Sequence, residues 1–79
     1  QEYDAKMQAF LVGEAIKAAR IAQNLTQEEF GRMMGIQAAR VSKIEHGQNL
    51  TLNTIIRAFR ALDISVSLEI AGASKVPLC

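Results

Sequence analysis

The stretch TQEEFGRMMGIQAARVSKIEHG, Thr26 to Gly47, constrains the fold more than any other, because it divides into two short helices with a glycine after each. Thr26 is a good N-cap, and Glu29 three residues on completes a capping box, which predicts a helix from there to Met34. Gly35 follows as a left-handed stop. A second short helix is predicted from Gln37 to Glu45, ended by Gly47 through the same device. Gly31 is read as small so that the two axes can approach. Val41 and Ile44 share the buried face of the second helix and Ile36 anchors its entry; the opposite face carries Ala39, Ser42 and Lys43, flanked by Ala38 and Arg40. That outward face is short, slim and positive.

On either side lie longer helices. Glu2 to about Gln23 is rich in Ala, Glu, Lys and Gln, with Phe10, Val12, Ile16 and Ala19 spaced as an apolar stripe, and QNLT ends it. Thr51 is the next N-cap, and Leu52, Ile55, Ile56, Phe59 and Leu62 mark the buried face of a last helix. No internal repeat or second domain is visible. A chain of 79 residues buries only roughly 60% of its unfolded surface, so a staple or a partner is expected. Cys79, the only cysteine, supplies no disulfide and points to a reducing compartment, the cytoplasm. No stretch approaches the length of a membrane span, because Glu14, Lys17 and Arg20 interrupt the most apolar region. No signal-peptide pattern is present, and the start at Gln1 rather than Met implies residues upstream.

The formal net charge is only +1, but its distribution is uneven. From Lys17 to Arg60 there are seven basic residues against three acidic ones, a balance of +4, while both flanks are acidic. A positive field concentrated on the central segment fits a polyanionic partner once the motif is taken into account.

Two short helices joined by a tight glycine turn form a helix-turn-helix. Gln27, Gly31, Gly35, Ile36, Val41 and Ile44, together with LTQEE and SKIEHG, resemble the Xre/Cro-type helix-turn-helix domains, a family that includes the phage repressors. The resemblance runs from about Val12 to Leu62. It implies an all-α, lambda-repressor-like bundle of four to five helices that places the Gln37–Glu45 helix in the major groove of double-stranded DNA. Gln27, helped by Thr26 and the helix N-terminus, matches a phosphate ligand. Gln37, Ala38 and Ala39 occupy the end that touches base edges. The phage repressors commonly have Gln where this chain has Ala38, so the usual bidentate contact to adenine is lost there, and Gln37 could supply it from one residue earlier. The alanines can pack on thymine methyls, and Arg40 or Lys43 can reach a guanine or a phosphate. Asn49 is a candidate phosphate contact with a simple turn role as the alternative. Arg20 and Glu45 match a family ion pair fixing the first helix to the recognition helix, a reading preferred here over a phosphate contact by Arg20.

ISVSLEI, Ile64 to Ile70, alternates without a break. Ile64, Val66, Leu68 and Ile70 lie on one face of a half-buried strand. No other segment shows this pattern, so one C-terminal β-strand pairing antiparallel with its copy across a homodimer is expected, which would space two recognition helices for a palindromic operator. LDISVSLEI after a helical domain resembles the HigA-like and HipB-like antitoxins, which implies autorepression and a cognate toxin partner. A protein-interaction module that mainly neutralises a toxin, with DNA binding secondary, is the alternative. The resulting division is a DNA-binding domain over 1–63 with its motif at 27–46, a dimerisation strand over 64–71 and a tail over 72–79. His46, the only histidine, has no neighbours to complete a metal site. No nucleophile–base pair, phosphate loop or carboxylate dyad can be assembled, so no cofactor is implied and the sequence argues against an enzyme.

Overall fold

Four residues with left-handed backbone, Asn24, Gly35, Gly47 and Asp63, decide where the helices stop (φ +60°, +76°, +82° and +59°). A computed structural model describes residues 2–69 and 75–78, with side chains over 7–67 and 75–78. The elements in order are α1 (Glu2–Ala22), α2 (Gln27–Met34), α3 (Ala38–Glu45), α4 (Leu52–Ala61), β1 (Ser67–Glu69) and β2 (Lys75–Pro77). At each left-handed residue the chain folds back so that the following amide reaches the last turn. Leu25 N–H donates to Arg20 O at 3.2 Å, Ile36 to Gly31 O at 2.8 Å, Gln48 to Lys43 O at 2.9 Å and Ile64 to Phe59 O at 2.9 Å. Three of these returning residues, Leu25, Ile36 and Ile64, then pack on the core. Helix termination and core packing are thus one event.

The core is Ile16, Phe30, Met34, Val41, Ile44, Ala58 and Leu62. It draws on all four helices, and side chains bind the loose carbonyls at the helix ends to one another. Arg57 of α4 donates from Nη2 to Met34 O at 2.9 Å, and Gln23 donates from Nε2 to Leu62 O at 2.7 Å. Two expected core residues lie elsewhere: Phe10 and Leu52 are about half exposed. Phe10 lies off the arc of Ile16 and Val12 that faces the core, and Ala58 takes the central place on α4.

α1 crosses the end of α3 with no room between the backbones. A Cβ on Gly13 would stand 2.7 Å from Glu45 O and 2.8 Å from Ile44 O, and one on Gly47 would stand 2.8 Å from Ala9 O. Gly31 is needed for a related reason, since its Cβ would lie 2.6 Å from Ile36 O in the turn as well as touching Val41.

The expected strand is present, but it is shorter than ISVSLEI and has a partner within the chain. β1 pairs antiparallel with β2, with Ser67 opposite Pro77, Leu68 opposite Val76 and Glu69 opposite Lys75. β2 lies within the segment expected as a tail over 72–79. Lys75–Pro77 is too short to show alternation, and Pro77, lacking an N–H, is tolerated because β2 is an edge. Ile64 does not join the ladder because its amide closes α4. Of the expected dimer residues, Ile64 and Val66 are half-buried; the Leu68 side chain and Ile70 lie outside the described residues.

Candidate nucleic-acid interface

The exposed side of α3 follows from its helical period. Val41, Ile44 and Glu45 take the inner arc and are buried, which leaves Ala39, Arg40 and Lys43 exposed, with Ala38 and Ser42 half-buried at the margin. Gln37 sits at the N-cap in extended conformation, and its side chain makes no capping bond. It is exposed at the helix entrance, where a reading residue would need to be.

Neither Arg40 nor Lys43 has an ion-pair partner among the described residues. Their charges therefore project an uncompensated positive field from one face. The loop after α3 brings Asn49, held left-handed at φ +56°, onto the same surface. A shallow groove is lined by Gly35, Ile36, Gln37, Ala39, Arg40, Lys43 and Asn49. The structure thus brings together five of the candidate contacts, beside Gly35 and Ile36 of the turn. Gly35 and Ile36 join the groove without any sequence signal beyond their place in the turn.

Thr26 and Gln27 lie outside that groove's lining, at the N-terminus of α2. Thr26 Oγ1 accepts the Glu29 N–H at 3.0 Å while Thr26 N–H donates to Glu29 Oε1 at 2.8 Å. Hydrogen bonding to the carboxyl from Thr26, by its backbone N–H foremost and its side chain next, holds Glu29 below its ordinary value of 4.5.

Gln27 carries an unexpected contact. Its Nε2 donates to Glu45 Oε1 at 3.1 Å, which no sequence signal announces. Glu45 is 1% exposed and Arg20 8%; the guanidinium donates from Nε to Oε2 at 2.6 Å and from Nη2 to Oε1 at 3.2 Å. Arg20 also donates from Nη1 to Leu25 O at 2.7 Å. The pair is buried and its hydrogen bonds are satisfied, so Arg20 is fully engaged in binding α1 to α3. His46 is exposed, with Nδ1 2.7 Å from Ser42 O, where the ring N–H can donate. No cluster of three metal-ligating side chains occurs among the described residues, and no helix among them is long and apolar enough to cross a membrane.

Residues 16–68 match a family model described as helix-turn-helix. Among solved structures, the restriction-modification controller protein C.AhdI from Aeromonas hydrophila is similar at 27% identity and a TM-score of 0.68, over 77% of this chain and 90% of that one. A point variant of HipB, solved as a complex with an O2 20mer, is similar at 30% identity and a TM-score of 0.69, over 80% of this chain and 89% of that one. A comparison with curated proteins finds no match.

Proposed function

This chain belongs to the Xre/Cro-type helix-turn-helix family, and on that premise we propose that it is a transcriptional regulator reading double-stranded DNA with α3 in the major groove. The observation that carries the reading is the exposed, uncompensated face of α3 joined to Asn49 in one groove. Gln37 is assigned to a base edge, bidentate to adenine, and Ala38 and Ala39 to close approach and thymine methyls. Arg40 and Lys43 supply guanine or phosphate contacts, with Ser42 beside them. Asn49, Thr26 and Gln27 are assigned to phosphate, which fixes register without carrying sequence.

One such helix selects poorly, so a homodimer on a palindromic operator completes the reading. One edge of β1 is occupied by β2, and no strand lies on the other edge among the described residues. Addition of the same strand from a second copy along that edge gives a two-fold pair of hairpins. The likeness to HipB supports the narrower reading, an autorepressing antitoxin with a cognate toxin partner. The likeness to C.AhdI, of similar strength, supports the broader one, a controller of another kind of system.

Selection of bound duplexes from a random pool by the full chain tests both levels. We expect an inverted repeat with half-site centres about 34 Å, one helical turn, apart. Failure to enrich any sequence contradicts specific DNA reading; enrichment of a lone half-site contradicts the dimer.

A further inference from the structure

α1 has two apolar faces, and only one of them is packed against the rest of the chain among the described residues. The inner face, with Gly13, Ile16 and Arg20, is buried against the core and α3. On the opposite side Met7, Phe10, Leu11 and Ile21 are between 47% and 58% exposed. With Glu14, Lys17 and Ala18, also exposed, they form a continuous stripe roughly 21 Å long at the rise of an α-helix.

The spacing of this stripe follows the seam of a coiled coil. Met7, Phe10, Glu14, Lys17 and Ile21 alternate steps of three and four residues, the heptad interval at which one helix meets another. Solvent alone does not explain three half-exposed large apolar side chains, Met7, Phe10 and Ile21, at that interval with Leu11 beside them on a chain this small. The two charged members identify the occupant. In a parallel pair of identical helices Glu14 would face Glu14 and Lys17 would face Lys17, like against like. In an antiparallel pair centred between Ala15 and Ile16, Glu14 meets the partner's Lys17, Lys17 meets the partner's Glu14, and Phe10 meets the partner's Ile21. Neither Glu14 nor Lys17 has an ion-pair partner among the described residues of the monomer. A stripe whose charges are complementary to their own reversal is a two-fold, isologous surface.

We infer that the outer face of α1 is a second self-association surface, which pairs antiparallel with the same helix of another copy. It is separate from β1, and it points away from the side of α1 that packs on α3, so occupancy leaves the α3 groove open. Two strand-paired dimers would thereby join into a tetramer. The contact is small, so the association is concentration-dependent and belongs to the weak class of interfaces.

Sedimentation velocity of the full chain over a concentration series, without DNA, tests this. Glu14→Lys or Lys17→Glu alone sets like charges opposite each other and should weaken the association by about tenfold or more. Glu14→Lys with Lys17→Glu restores the pairing in reversed sense and should recover it. Both positions are exposed, and circular dichroism verifies that each variant is folded. Single variants that associate like the parent, or a double variant as weak as the singles, would overturn the proposal. In a Val66→Asp background, which interrupts strand pairing, the α1 contact should persist as a dimer sensitive to the same charge swaps. A species that stays monomeric there at every concentration refutes α1 pairing and leaves strand pairing standing.

Discussion

Arg20 and Glu45, 25 residues apart in sequence, are joined by two buried hydrogen bonds, and Gln27 adds a third to the same carboxylate. The triad links α1, the start of α2 and the end of α3, and so fixes how α3 is presented.

Replacing Arg20 by Met leaves Glu45 buried without its counter-charge. Loss of one partner from a buried pair costs about 3–5 kcal/mol, a large share of the stability of a small domain. We expect Arg20→Met to lower the urea midpoint severely, with DNA affinity per folded molecule little changed. A variant that melts like its parent contradicts the structural role.

The crossing of α1 over α3 makes a helix-favouring substitution harmful. Alanine is ordinarily better than glycine within a helix by about 1 kcal/mol, yet a Cβ at Gly13 meets Glu45 O and Ile44 O within 2.8 Å. Gly13→Ala should destabilise by about 1–3 kcal/mol through overpacking. Gly35→Ala meets nothing within 4 Å and bears only the left-handed strain, about 1–2 kcal/mol. Thermal melts of the pair with Gly31→Ala, whose Cβ also strikes backbone, locate the tight points of the fold; a Gly13→Ala variant more stable than the parent argues against the close crossing.

The capping box gives a pH signature. Glu29 has a folded pKa below its ordinary value of 4.5 because it accepts hydrogen bonds from Thr26. A depressed carboxylate contributes stability that is present above the unfolded value and lost as pH falls through the folded one. The stability difference between parent and Glu29→Gln should be constant near neutrality and shrink below about pH 4.5. Thr26→Ala should cost about 1 kcal/mol near neutrality and shrink with it. Denaturant melts at several pH values read both; a difference independent of pH contradicts the ionised cap.

The motif helices are legible in the sequence because local chemistry marks both of their ends: Thr26 with Glu29 opens one, and Gly35 and Gly47 close them. The strand alternation around Val66 is equally plain. What escapes are features whose cause is non-local. Asn24 and Asp63 end helices as left-handed residues, but both types also occupy ordinary turns. Gly13 reads as a mild flaw until α3 lies beneath it. Phe10 fits an apolar stripe, but a helix carrying two stripes does not declare which one faces the core. Lys75–Pro77 has no periodicity of its own and becomes a strand only because β1 offers an edge. At the site, α3 and its charged face are readable from spacing, whereas the bond from Gln27 to Glu45 depends on how α2 docks.

α3 is proposed to read DNA through an uncompensated positive face. Fluorescence anisotropy of a selected duplex, titrated with the full chain at several salt concentrations, tests it by comparing the parent with Arg40→Ala plus Lys43→Ala. Both side chains are exposed, so the variant should melt like the parent. Its affinity should fall at least ~10-fold, and the dependence of log K on log salt should flatten by about one to two, one for each phosphate contact removed. A variant that binds with the parent's affinity and salt slope contradicts the account.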